Sequence, residues 1–228
     1  MAKPPTKRAS SQEVAAFLNK SKAIAQVVEK QPRLLFGIDA TASRQPTWDS
    51  ACHHQQAMFL ATAQITTLSV QLCYYRGFHQ FKASRWLNDS QALAQLMGRV
   101  RCEGGHTQIA RLLKHALGQH QQMQVRAVVF IGDAIEESVD TLCDLAGQCG
   151  LLKLPLFIFQ EGRDARVEDT FRSMARLSGG AYARFNAASA KTLAELLGAV
   201  AAYAAGGQRA LEKRSGENAK LLLQQLKQ

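Results

Sequence analysis

Long apolar runs are missing from this chain of 228 residues. The longest, Leu193 to Ala205, is interrupted by Glu195 and falls short of the ~20 residues a bilayer crossing requires, so no membrane span is expected. The Lys- and Pro-bearing first residues lead into an amphipathic polar stretch rather than the apolar core of an export signal. The five cysteines (Cys52, Cys73, Cys102, Cys143, Cys149) are odd in number and contain no Cys-x-x-Cys pair, which argues against a disulfide framework and a zinc knuckle. These absences together predict a cytoplasmic protein in a reducing compartment. Also lacking are a Gly-x-Ser-x-Gly elbow, a P-loop, a dinucleotide fingerprint, internal repeats and low-complexity tracts.

Acidic residues are scarce as well, 18 against 28 Lys and Arg, for a net charge of +10. The excess sits at the ends: residues 1–33 carry seven basic residues against two acids, and residues 206–228 five against two. The remainder is nearly balanced, so no basic groove through the body of the fold is expected. Base-stacking aromatics are almost absent from both basic ends, Phe17 being the exception. The expectation is weak, strongly salt-dependent polyanion binding.

What is present is an ordinary core-forming composition, 46% apolar. Ser10 and Glu13 form a capping box ahead of a helical pattern over residues 11–30. Arg33 to Asp39 reads as a strand buried on both faces and ending in an acid, and Trp48 to Ile65 as a helix. Leu68 to Tyr75 and Phe78 to Ala83, parted by Arg76-Gly77, predict a hairpin with an edge strand. Helices are expected over Ser90–Val100, Thr107–Gly118, Glu136–Cys149, Arg166–Leu177 and Lys191–Tyr203, and strands over Val125–Ile131, Leu154–Phe159 and Gly180–Phe185. Gly206-Gly207 reads as a hinge. The alternation predicts an α/β fold, a doubly wound, mainly parallel six-stranded sheet with one antiparallel edge strand and helices on both faces. Three regions follow: a basic leader and helix (1–32), the α/β domain (33–205) and a basic C-terminal segment (206–228).

Such sheets bind ligands at the carboxyl ends of their strands. Small oxygen ligands gather at three predicted strand ends or helix starts: Asp39-Ala-Thr41-Ala-Ser43, then Thr107 after Gly104-Gly105-His106, then Asp133 after Gly132. A carboxylate with hydroxyls two and four residues on lets a tight loop turn three oxygens to one point, and the neighbouring strand end supplies a second carboxylate. Two carboxylates and three hydroxyls suit Mg2+ or Mn2+ better than Ca2+, which takes more acids. The electron-poor ion then accepts an Asp or Glu from another molecule. Other polar clusters are weaker. Cys52-His53-His54 and the His115/His120 pair lack convergent ligand spacing, because adjacent helical residues point about 100° apart. Glu136 and Glu137 are expected to favour the N-terminus of their own helix, with a tuning role left open by their proximity to Asp133.

This ordered series resembles the von Willebrand factor A (VWA) domain and its metal-ion-dependent adhesion site, over roughly residues 33–205. Thr41 stands where Ser is commoner and Ala134 where Gly is frequent; neither removes a ligand. The resemblance implies a Rossmann-like VWA fold, metal ligands Asp39, Thr41, Ser43, Thr107 and Asp133, and a non-enzymatic module binding a protein partner. It also implies scaffold or regulatory duty in a larger intracellular complex, commonly one containing an ATPase. The alternative is a phosphotransferase like the haloacid dehalogenases, with Asp39 as nucleophile. That chemistry needs a lysine beside the phosphate, yet Lys114 falls in mid-helix and Arg126 begins a strand.

Overall fold

A computed structural model describes residue 14 and residues 31–44, 68–185 and 190–226, the side chain of residue 190 excepted. The expected helices over 11–30 and Trp48–Ile65, the capping box and Cys52-His53-His54 lie outside the described residues. The chain divides into two compact units, residues 1–31 and 32–228, and the second holds the fold described here.

Its strands are β1 (Arg33–Asp39), β2 (Ser69–Arg76), β3 (Gln80–Ala83), β4 (Val125–Gly132), β5 (Leu156–Glu161) and β6 (Ala181–Phe185). They form one sheet in the order β3-β2-β1-β4-β5-β6, parallel throughout except for the antiparallel β2–β3 hairpin at one edge. The described helices are α1 (Ser90–Met97), α2 (Ile109–Met123), α3 (Val139–Leu151), α4 (Ala165–Leu177), α5 (Ala190–Glu212) and α6 (Glu217–Leu226).

The continuous apolar strands have two buried faces because successive side chains alternate across the sheet. Leu34, Phe36 and Ile38 of β1 join a core layer with Leu93 of α1, Leu196 and Val200 of α5 and Leu222 of α6. Leu35 faces the opposite layer, built from Leu112 of α2, Leu145 of α3 and Phe171 of α4. Gly37 in mid-strand permits the close approach of α2: a Cβ there would lie 2.5 Å from the Leu112 side chain.

Two helix starts differ from the sequence expectation. Helix α2 begins at Ile109, leaving Thr107 in the preceding loop, and α3 begins at Val139, leaving Glu136 and Glu137 outside it. The reason is a cap exchanged between loops. Glu137 accepts hydrogen bonds from the N–H groups of Ile109 (2.8 Å, Oε2) and Ala110 (2.8 Å, Oε1). The Gln108 side chain provides no cap, so Glu137 neutralises the start of α2 rather than that of its own helix. Glu137→Ala is therefore expected to cost about 1–2 kcal/mol in urea unfolding; an unchanged midpoint would show that water replaces the carboxylate at no loss.

The expected hinge is a kink. Helix α5 breaks at Gly206 and at Gly207, whose φ is 66°, and then resumes to Glu212. Residues 206–226 are folded into the same unit as the sheet, with Leu211, Ala219 and Leu222 buried in the core layer.

Candidate functional site

Parallel pairing sets the carboxyl ends of β1 and β4 side by side, with Ile38 opposite Ile131, so Asp39 and Asp133 leave the sheet on neighbouring strands. A Cβ built on Gly132 would stand 3.6 Å from the Asp39 Cβ, which measures how closely the two strand ends approach.

Asp39 is fully buried. Its Oδ1 accepts from the Thr41 N–H at 2.8 Å, closing the turn that carries the loop away from β1, and its Oδ2 accepts from the Tyr75 hydroxyl at 3.0 Å. The turn brings the Thr41 and Ser43 hydroxyls together, 3.1 Å apart. The Ser43 hydroxyl lies near enough to Asp133 to favour its charged form, and Asp133 Oδ1 is buried with no hydrogen-bond partner among the described residues.

A buried carboxylate, Asp39, and a half-buried one, Asp133, are therefore held close to two hydroxyls. Burial pushes the Asp39 pKa up to about 6; hydrogen bonds from Thr41 and the Arg44 charge oppose this, and the Asp133 charge adds to it. Burial also raises the Asp133 pKa, opposed by the nearby Ser43 hydroxyl and the Arg44 charge. Both shifts mark negative charge that protein groups compensate only in part.

Thr107 is tied to the Asp133 loop. Its N–H donates to Glu136 Oε2 at 2.8 Å, and its hydroxyl accepts from the Glu136 N–H at 3.0 Å. The loop before it packs backbone to backbone on the hairpin turn, where a Cβ on Gly105 would fall 2.0 Å from the Gly77 carbonyl. Gly105 is thus obligatory for the path that delivers Thr107.

The fold around these residues has known counterparts. No family model and no curated protein sequence matches the chain, but solved structures do. A von Willebrand factor type A protein from Catenulispora acidiphila aligns with a TM-score of 0.62 at 17% identity, over 77% of this chain and 43% of that one. This chain adopts the VWA fold. The VWA domain of SpRpn10 aligns with a TM-score of 0.57 at 11% identity, over 72% of this chain and 95% of that one. Manganese-loaded TRAP protein from Plasmodium vivax aligns with a TM-score of 0.54 at 15% identity, over 72% of each chain. The chain thus spans less than half of the Catenulispora acidiphila protein.

Sequence reasoning missed Tyr75, Arg44 and Glu161. Tyr75 is buried beneath the site, and burial, then the charges of Asp39, Glu137 and Asp133, hold its phenol well above the ordinary pKa, so it remains a donor. Arg44 is buried against Glu161 at 2.6 Å. A signal for Glu161 existed: β5 is an apolar strand ending in an acid, like β1 before Asp39. No three His, Cys, Asp or Glu side chains converge among the described residues. A cation at this place would use two carboxylates with hydroxyl oxygens.

Charge is also less evenly spread through the body than its near-zero sum indicates. Residues 76–115, which include the β2–β3 hairpin turn, β3, α1 and the first part of α2, carry seven Lys or Arg against two acids. Residues 133–177, between the end of β4 and the end of α4, carry nine acids against five basic residues.

Proposed function

We propose that this chain is a divalent-metal-dependent protein-binding module that captures an Asp or Glu of a partner. The observation that carries the reading is Asp133 Oδ1, buried and unpartnered beside Asp39 at adjoining strand ends. A buried carboxylate oxygen with no donor costs free energy unless something positive meets it. The donor set is oxygen only, which suits Mg2+ or Mn2+. Asp39, Thr41, Ser43, Thr107 and Asp133 would hold the ion, which would supply a Lewis-acidic position for an incoming carboxylate. Tyr75 and the Thr41 N–H orient the Asp39 carboxylate. The manganese carried by the Plasmodium vivax protein supports the same chemistry on this fold.

A phosphotransferase reading has less support. Lys114 lies inside α2, and Arg126 is at the start of β4, the opposite end of the strand from Asp133. The partner is proposed to sit in a larger complex, such as one containing an ATPase. No described helix is long and apolar enough to cross a membrane.

Calorimetric titration with Mn2+ tests the reading. Binding is expected to the wild-type chain and to be lost, by about 100-fold or more, in Asp39→Ala, because a carboxylate ligand is removed. Thr107→Ala should retain most of the affinity, since water can replace one neutral ligand, while weakening any magnesium-dependent partner. Equal Mn2+ binding by the wild type and Asp39→Ala would refute the site.

A further inference from the structure

The buried Arg44–Glu161 pair is not explained by stability. Removing two charges from water usually costs more than their attraction returns, and apolar replacements often do as well or better. The Arg44 side chain is 0% exposed and that of Glu161 8%. Glu161 Oε1 meets no hydrogen-bond donor among the described residues. Their placement is specific: Arg44 Nη2 lies 2.6 Å from Glu161 Oε2, and Nη1 reaches the Asp39 carbonyl oxygen at 3.4 Å. One guanidinium therefore bridges the end of β1 and the end of β5, linking a third strand-end carboxylate to the Asp39 backbone. Both charges act on the site, Arg44 lowering and Glu161 raising the pKa of Asp133.

Among the groups that meet at the ends of β1, β4 and β5, Asp39, Asp133 and Glu161 contribute three negative charges and Arg44 one positive, which leaves −2; the nearby Glu136 and Glu137 carboxylates are taken up by backbone N–H groups of the Thr107 loop and the start of α2. We propose that Arg44 and Glu161 are the positioning and charge-setting pair of the cation site, with Glu161 held out of direct coordination by Arg44 and the local charge fixed at the value one divalent ion neutralises. This inference rests on the metal-site reading above. It adds to that reading a selectivity for ion charge which the five candidate ligands do not themselves confer.

A structural role and a charge-setting role separate in a ratio. Mn2+ and Tb3+ are titrated into the wild-type chain, Arg44→Gln, Arg44→Lys, Glu161→Gln and Asp39→Ala. One added or removed unit charge at roughly 8 Å, in an effective dielectric near 20–30, changes the preference for a trivalent over a divalent ion by about tenfold. Arg44→Gln should therefore raise the Tb3+/Mn2+ affinity ratio by about tenfold and Glu161→Gln lower it by a similar factor, while Arg44→Lys keeps the wild-type ratio. A pair that only braces the loop would weaken both ions together, and a ratio unchanged within twofold in Arg44→Gln and Glu161→Gln would overturn the proposal. If Arg44→Gln fails to fold, Glu161→Gln decides, since its near-isosteric amide leaves Arg44 facing Asp39. Asp39-dependent Mn2+ binding with a fixed ratio would sink this inference alone. Wild-type binding no tighter than that of Asp39→Ala would sink the site reading and this inference with it.

Discussion

In chelator at pH 7, Asp39→Asn is expected to be more stable than the wild-type chain, and in excess Mg2+ or Mn2+ less stable. Burial holds the Asp39 pKa at about 6, above the 3.8 of the free side chain. Keeping that carboxylate ionised at neutral pH costs up to about 3 kcal/mol. The amide of Asn keeps the acceptor for the Thr41 N–H and loses the charge, but the Tyr75 hydroxyl must then accept rather than donate. A net gain of about 1–2 kcal/mol in urea unfolding follows once that exchange is subtracted. The sign of the pH dependence is fixed by the direction of the shift. A raised folded-state pKa means that the folded wild type binds the proton more tightly, so its stability rises as pH falls from about 6 towards 3.8. The advantage of Asp39→Asn should shrink over that window. With metal the order reverses, because binding to the folded wild type adds roughly 2.7 kcal/mol at a hundredfold excess over Kd. An Asn variant less stable than wild type in chelator would show that the hydrogen bonds to Asp39 outweigh its burial.

The second large effect lies far from the site. Leu222→Ala is expected to destabilise the domain by about 2–5 kcal/mol, the range for truncating a fully buried leucine, since Leu222 is 0% exposed in the core layer, on a helix packed against α5 and β6. Removing residues 217–228 should have a larger effect. Gln225 accepts from the Tyr182 N–H and donates to the Tyr182 carbonyl, each at 2.9 Å, and so bonds the edge of β6 as a neighbouring strand would. Its loss leaves that edge unpaired as well as uncovering the core. Thermal unfolding followed by circular dichroism should show a lower, broader transition for both variants. A truncated chain melting with the wild type would demote α6 to an appendage.

These two regions show how differently structure is written into the chain. The α/β class, the strand order's parallel character and the edge hairpin were legible because apolar runs of strand length alternate with helical periodicity, and both are local properties. Asp39, Thr41, Ser43 and Asp133 were legible for the same reason, since each follows directly on a strand whose end can be read from the sequence. Thr107 was expected at a helix start and instead sits in a loop, because Glu137, 30 residues on, sets where α2 begins. The C-terminal segment reads from its sequence as basic with a narrow apolar stripe, Leu221, Leu222, Leu223 and Leu226, which leaves open whether it completes the domain or docks a second protein. The packing of Leu211, Ala219 and Leu222 decides that it completes the core.

The sequence by itself determined the elements, the faces they bury and the strand-end oxygens, all of which depend on spacing along the chain. The tertiary structure decided which distant charges meet: Arg44 with Glu161, Tyr75 with Asp39, and Glu137 with the start of α2. The physical reason is that electrostatic and hydrogen-bond partners are chosen by distance in space and by exclusion of water. Neither quantity exists until the sheet has set its strand ends side by side.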